Sequence, residues 1–472
     1  MNFKSITYYL SYFCFPVSFL SFINILYSLY FDHFLNTNLY TLVLFLSFFS
    51  GMIFFFYGRK SYKRLNFFEK LILIIFSYLF ISIFFSIPYY FSNYKIIMID
   101  SFFESLSGLT LTGFSVFNNI KYFDPTLILW RSSSQWIGGL YFLIFLIIIF
   151  DNKQYDYKLT NLSYVSSFNI TSEENLKKKI INITIIYTIL SFLIFMLLNS
   201  AGVRLFNSLN LSMTLVSNGG FLPSNSLDFI IKSLYQKVII IFSLMLSMLN
   251  FYILINFFNP KKLISENRED FLILSLTIII FLILIISINS PDIINILIGV
   301  LSSLSNSGIV VGNIPENVNL YFLFLAMIGG SVVSNSGGIK FLRFYILIKS
   351  SIFEIIKLVR PNHIISQSFL FTKRLITRKD INNSFLIFIS FFISIFILSS
   401  LLIIDDINFE DSFKISVLTL TNTTYSSLYG DTNISFSSLL TSSKLGILFF
   451  MIIGKIELIS LFLLIKNFVN RN

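Results

Sequence analysis

The stretch SLSGLTLTGFSVF, residues 105–117, decides how this chain folds. It is apolar enough to enter a bilayer and too short to cross one, and it closes on threonine, glycine and serine. A spanning helix takes about 20 apolar residues to cover a hydrocarbon core of ~30 Å. Three more stretches read the same way: SMTLVSNGGFLPSNS (212–226), VLSSLSNSGIVVGNIP (300–315) and SVLTLTNTTYSSLYG (416–430). Each follows one long apolar segment and precedes another. The repeated pattern is helix, short re-entrant helix, polar turn, helix.

Spacing supports a common unit. From the ends of the preceding spans, at 91, 199, 289 and 404, the offsets to Gly113, Gly220, Gly308 and Thr424 are 22, 21, 19 and 20 residues. The intervals between those four positions are uneven (107, 88 and 116), as diverged copies with different loops would give. One small-residue turn alone would read as close helix packing; four at a matched offset read as a repeat.

The rest of the chain agrees. Hydrophobic residues make up 55% and charged residues 12%, with a mean hydropathy of +0.81, so most of the surface faces lipid. Ten spanning segments are predicted near 6–30, 39–57, 67–91, 126–150, 180–199, 235–258, 270–289, 319–350 (interrupted), 383–404 and 445–466. The expected fold class is an all-α polytopic membrane protein with about ten transmembrane helices. Four pseudo-fourfold helix–pore-loop–helix repeats would surround a central ion pore, with two N-terminal helices added. The expected division is 1–64 for those two helices, then repeats at 65–152, 153–262, 263–379 and 380–472. The first apolar run follows Lys4 but is too long for a signal core and has no small-residue cleavage pattern, so a retained helix is expected. Cys14 has no partner for a disulfide, and His33 and His363 are too far apart in sequence to suggest a metal cluster.

Charge sets an expected orientation. With a cytoplasmic N-terminus, 25 of the 34 basic residues fall inside, among them nine from Lys340 to Lys379; eight fall outside and Lys455 lies in a span. The acids divide 12 outside and 10 inside, with Glu457 in a span, giving −4 outside (8 − 12) and +15 inside (25 − 10). That asymmetry follows the positive-inside rule. Asp228, Asp292, Glu316, Asp405, Asp406, Glu410 and Asp411 are placed to raise cation concentration at an outer mouth, or simply to solvate outer loops.

The polar turns point to a chemistry. Unpaired backbone at membrane depth survives only where it lines a cavity or packs in protein. Four converging turns would present carbonyl oxygens that can replace the water shell of a cation. Glycine suits such a turn because it adopts left-handed dihedrals freely. The short helices would aim their negative C-terminal ends at the same point. A second polar interruption, Gly329, Gly330, Ser331, Ser334, Asn335, Ser336, Gly337 and Gly338, lies within the segment after the third turn. No strand precedes it and no GK[ST] follows, which excludes a phosphate loop. Lys455 near mid-span is costly, about 2.5–3.5 kcal/mol, and is expected to face a cavity or a buried partner such as Glu104. Glu104 is expected to brace the first short helix and Arg131 to anchor near the outer interface.

At these residues the sequence resembles the TrkH/KtrB/HKT superfamily of potassium transporters, most closely its TrkH branch. The resemblance rests on FFESLSGLTLTGFSVF with WRSSSQWIGG (130–139), on MIGGSVVSNSGGIKFLRF (327–344) and on IIGKIELISLF (452–462). It implies a selectivity filter formed by Leu111, Thr112, Gly113, Asn218, Gly219, Gly220, Asn306, Ser307, Gly308, Thr423 and Thr424, with potassium as the transported substrate and no other cofactor. It implies a gate loop at the second interruption and a pore-facing Lys455. It also implies a bacterial inner-membrane homodimer partnered by a cytoplasmic nucleotide-binding subunit of the TrkA type, with no nucleic-acid partner. Thr424 stands where a fourth glycine is expected, which leaves sodium permeation as an alternative. A lipid-linked sugar enzyme or flippase would need catalytic acids or a charged cavity; no paired carboxylates or histidine cluster are placed for acid–base work. An ion-coupled transporter would show two corresponding interrupted helices, and only one interruption is plain in the sequence.

Overall fold

In the computed structural model the described residues are 2–32, 37–60, 65–150, 173–251, 253, 268–288, 292–360, 376–430 and 434–456. His33, His363, Glu457 and the distal ends of the spans expected at 235–258 and 445–466 lie outside them. The described residues form helices joined by turns. In chain order these are α1 (Phe3–Tyr30), α2 (Thr37–Arg59), α3 (Phe67–Tyr90), α4 (Met98–Thr110), α5 (Pro125–Phe150), α6 (Glu173–Ser200), α7 (Leu205–Ser217) and α8 (Leu234–Met248). There follow α9 (Arg268–Ser287), α10 (Ile293–Ser305), α11 (Asn319–Ile328), α12 (Phe341–Val359), α13 (Arg378–Ile404), α14 (Phe409–Thr421) and α15 (Thr441–Ile456).

Among the described residues seven helices are long and apolar enough to cross a membrane: α1, α2, α3, α5, α6, α9 and α13. By contrast α4, α7, α10 and α14 are each 13 residues long, about 20 Å, and cannot cross. These four are the re-entrant segments, and they end three residues before Gly113, Gly220, Gly308 and Thr424.

The packing order closes a ring. Within the first unit α3 and α5 pack on α4. Then α5 packs on α7, α8 on α10, α11 on α14, and α15 returns to α4. Each turn's following helix thus supports the next unit's short helix. The α1–α2 hairpin packs against α3, and α1 against α5, outside this circle. Burial follows: α5 is encased by protein, with 83% of its apolar window buried, whereas only 22% is buried for α2 and α9. A helix so encased tolerates the polar run Arg131 to Gln135, all buried.

The structure corrects one span. The segment expected to run unbroken over 235–258 stops being helical at Met248, where Leu249 is extended. Its backbone groups turn aside to pair with residues 331–333, described below. No glycine or proline marks this break, which is why the apolar run hides it.

Candidate functional site

The four short helices end alike. Leu111, Asn218, Asn306 and Asn422 each adopt the left-handed conformation, with φ of 66°, 62°, 64° and 49°. The next residue's amide then reaches back five residues: Thr112 N to Ser107 O (3.0 Å), Gly219 N to Thr214 O (3.1 Å), Ser307 N to Ser302 O (3.0 Å) and Thr423 N to Leu418 O (2.9 Å). With the amides of Leu111, Asn306 and Asn422 bonding three residues back, this is a full Schellman closure in the first, third and fourth turns, and the second keeps its longer bond. In the first two turns a hydroxyl adds a clamp: Ser107 Oγ donates to Phe114 O (2.7 Å) and Thr214 Oγ1 to Phe221 O (2.8 Å).

Beyond the closure the turns converge. Gly113, Gly220 and Gly308 have φ of 69°, 74° and 63°, and Gly219 does not take a positive φ. A Cβ on any of the three would collide with Thr424. Such a Cβ would also meet the carbonyl of Gly219 from Gly113, and that of Ser307 from Gly220. Thr424 keeps out of the left-handed region that a β-branched residue resists. Its hydroxyl projects among the glycines instead and donates to Gly219 O at 3.0 Å.

Amides brace the ring. Asn306 Nδ2 donates to Thr423 Oγ1 (2.8 Å), and Asn422 Nδ2 donates to Thr112 Oγ1 (3.1 Å) and Met451 O (2.9 Å). Asn218 Nδ2 reaches Ser247 O at 3.4 Å. Gln135 of α5 holds the second turn from both sides, donating to Gly219 O and accepting from Phe221 N (3.0 Å). Glu104 accepts from Val116 N (2.8 Å) and from Arg131 Nε (2.8 Å), and the Arg131 guanidinium lies 4.1 Å from the Phe221 ring centroid. Two expectations are corrected here. Arg131 is buried rather than anchored at the interface, and the cation paired with Glu104 is Arg131, not Lys455. A buried carboxylate needs a paired cation and further donors, and Arg131 Nε, Ser115 Oγ and Val116 N supply them.

The glycine-rich loop sits against the C-terminal ends of the short helices. Asn335 Nδ2 donates to Val216 O (3.0 Å), Gly337 N donates to Asn306 Oδ1 (3.0 Å), and a Cβ on Gly337 would strike Thr421 O. All of Gly329, Gly330, Ser331, Ser334, Asn335, Ser336 and Gly337 are buried, and Gly338 is partly exposed. Gly329, at φ 71° and ψ −178°, occupies dihedrals that essentially only glycine adopts. The break after α8 pairs with this loop: Ser331 N donates to Met248 O (3.0 Å) and Phe251 N to Val333 O (3.1 Å). The adjacent carboxylates of α9 pin both partners. Glu269 Oε1 accepts from Val332 N (3.0 Å) and Asp270 Oδ1 from Asn250 N (2.9 Å).

Two lysines grip the loop's carbonyls. Lys340, also at positive φ (74°), donates from Nζ to Ser331 O (3.2 Å), Ser334 O (3.3 Å) and Ser336 O. Lys455 donates to Asn335 O at 3.2 Å and lies 4.2 Å from the Phe142 ring centroid. Lys340, counted among the cytoplasmic basic residues, is buried, and so are Glu269 and Asp270. The acids of the outer loops divide. Asp228 accepts from Gly312 N (2.7 Å), and the hydroxyls of Ser442 and Ser443 hold the Asp405 carboxyl below the usual range; these two serve loop structure. Gln135, Glu269, Asp270 and Lys340 were not singled out from sequence as site residues. Gln135, an amide inside the long apolar segment after the first turn, carries a signal that could have found it, whereas Glu269, Asp270 and Lys340 border polar stretches.

Long apolar helices, four re-entrant helices and a closed ring of polar turns define a multi-pass membrane transport protein. Comparison with known proteins agrees. The profile of the TrkH family, described as "Cation transport protein", matches residues 36–268 and 307–469. An uncharacterized cation transporter of Methanocaldococcus jannaschii is 28% identical over 335 residues, 69% of this chain and 68% of that protein. The Trk system potassium uptake protein TrkG of Escherichia coli is 25% identical over 455 residues, 91% and 92% of the two chains. The crystal structure of the potassium transporter TrkH from Vibrio parahaemolyticus has the same fold, with a TM-score of 0.86, 20% identity and 98% of each chain covered. The chain belongs to the TrkH family of cation transport proteins, and it is a transporter rather than an enzyme.

Proposed function

We propose that the chain is a potassium uptake subunit whose four turns form a carbonyl selectivity filter above a gate loop. The observation that carries this is the convergence of Gly113, Gly220 and Gly308 on Thr424, with the carbonyls of Gly219 and Ser307 turned to the same point. Leu111, Thr112, Asn218, Asn306 and Thr423 complete the turns. An ion entering such a ring exchanges water for fixed oxygens whose orientation costs nothing at the moment of binding. The names of the relatives support potassium as the cargo. The loop 329–338, packed under the short-helix ends and gripped by Lys455, is the gate in this reading. The ammonium group of Lys455 beside the pathway opposes cation entry until the loop moves.

The basic loops support a cytoplasmic N-terminus in a bacterial inner membrane, and the chain works in this reading as a homodimer with a TrkA-type nucleotide-binding partner. The five-part division at 64, 152, 262 and 379 separates the N-terminal hairpin from the four repeats. Purified protein in liposomes is expected to take up radioactive rubidium. A potassium-uptake-deficient bacterium is expected to grow at low potassium with this chain and not with Gly220→Asp, whose side chain would collide with Thr424. Equal growth from both, with both proteins in the membrane, would contradict the pore. A second reading, sodium permeation in the same pore, is favoured by one observation: the Thr424 hydroxyl already engages Gly219 O within the ring.

A further inference from the structure

We propose that the side-chain amide of Asn306 couples the glycine-rich loop to the ring of turns, so that loop position and ion preference change together. This rests on the pore and gate reading above. Asn306 is buried (1% exposed) and engages three partners in three different elements. Its Oδ1 accepts from Gly337 N in the loop (3.0 Å). Its Nδ2 donates to Ala326 O of α11 (2.8 Å) and to Thr423 Oγ1 of the fourth turn (2.8 Å). The orientation is forced: only the oxygen can accept from Gly337 N and only the nitrogen can donate to Ala326 O.

The other asparagines in this site are less fully engaged. Asn218, Asn335 and Asn422 each leave Oδ1 without a partner among the described residues. Asn306 thus joins loop and ring through a single rigid amide plane. Withdrawal of Gly337 would strand a buried acceptor, and such a group regains a partner only by rotating. Rotation releases Thr423, whose neighbour Thr424 bonds Gly219 O in the second turn. The path from Gly337 through Asn306, Thr423 and Thr424 to Gly219 therefore runs from the loop to the carbonyl ring. The loop's other contacts with the short-helix units, Asn335 to Val216 O and Gly337 against Thr421 O, end on the helices and not on the turns.

The test uses the full chain in phosphatidylethanolamine–phosphatidylglycerol vesicles, with rubidium and sodium as probes. Asn306→Gly keeps the left-handed backbone, which glycine adopts freely, and removes only the amide. Loss of the tether is expected to raise partner-free rubidium leak about tenfold and to lower the rubidium-over-sodium preference by a similar factor. A change in one without the other, or in neither, overturns the coupling. Wild-type vesicles that pass no rubidium would instead sink the pore reading itself. Coupling is reciprocal, so a second measurement needs no variant. In wild-type protein the Gly337 amide is expected to exchange with deuterium more slowly in rubidium than in choline. Equal exchange in the two, in protein that transports rubidium, overturns the proposal.

Discussion

Thr424 puts a hydroxyl where the other three turns have only hydrogen, and the fourth turn accommodates it without a left-handed threonine. Removing that side chain frees the Gly219 carbonyl from one of its two donors and widens the ring. Thr424→Gly is expected to raise rubidium flux and to increase preference over sodium severalfold, read by paired uptake in liposomes; an unchanged ratio would show that Thr424 does not face the ion. The left-handed caps carry a separate prediction. Asn422→Leu loses two amide donations, each ~1 kcal/mol, and puts a branched side chain at φ 49°, for a total loss of about 2–3 kcal/mol. Asn422→Gly should lose less because its backbone relaxes. Thermal unfolding in detergent is expected to rank wild type above Gly above Leu, and Leu equal to wild type would contradict the capping role. The asparagines at 218, 306 and 422 were legible in principle, since each lies two residues before its key position. Asn218 and Asn306 were read as ion ligands and Asn422 was not singled out, because sequence shows a polar residue but not which of its groups the fold consumes.

The two breaks, after α8 and after α11, form one paired element held by Glu269 and Asp270. Glu269→Ala removes the acceptor of a buried Val332 N–H, a loss of roughly 1–3 kcal/mol. If that bond holds the closed loop, rubidium leak from liposomes should rise about ten- to a hundredfold. Glu269→Gln, which keeps an acceptor, should rise less. A correctly folded Ala variant with wild-type leak would contradict the latch. Of this element the sequence showed one half. Gly329, Gly330, Gly337 and Gly338 announce a break because glycine destabilises a helix, whereas SMLNF at 247–251 carries no such mark. Its helix ends because tertiary partners capture Met248 O, Asn250 N and Phe251 N. Glu269 and Asp270 follow a polar stretch, and nothing local in the sequence shows that the fold buries them.

The described part of the molecule is a ring closed by its last described helix, α15. The seam from α15 to α4 holds Lys444 against Asp100 at 2.6 Å, with both side chains buried, and the seam from α8 to α10 holds Lys237 against Asn295 at 2.9 Å. Breaking a buried pair on one side leaves an unpaired charge, so Lys444→Met is expected to cost about 3–5 kcal/mol, and Lys444→Met with Asp100→Asn markedly less. Apparent melting temperatures of the two variants check this; equal losses would show that the pair does not close the ring. Repetition at matched offsets made the fourfold plan readable, because span length and turn composition are local properties. The order in which helices support their neighbours was not readable, because it depends on pairings across hundreds of residues. Crystals soaked in rubidium would test the central claim most directly. The account predicts anomalous scattering between Gly113, Gly220, Gly308 and Thr424, within coordination distance of the Gly219 and Ser307 carbonyls. Rubidium bound only elsewhere, with that ring intact and empty, would contradict it.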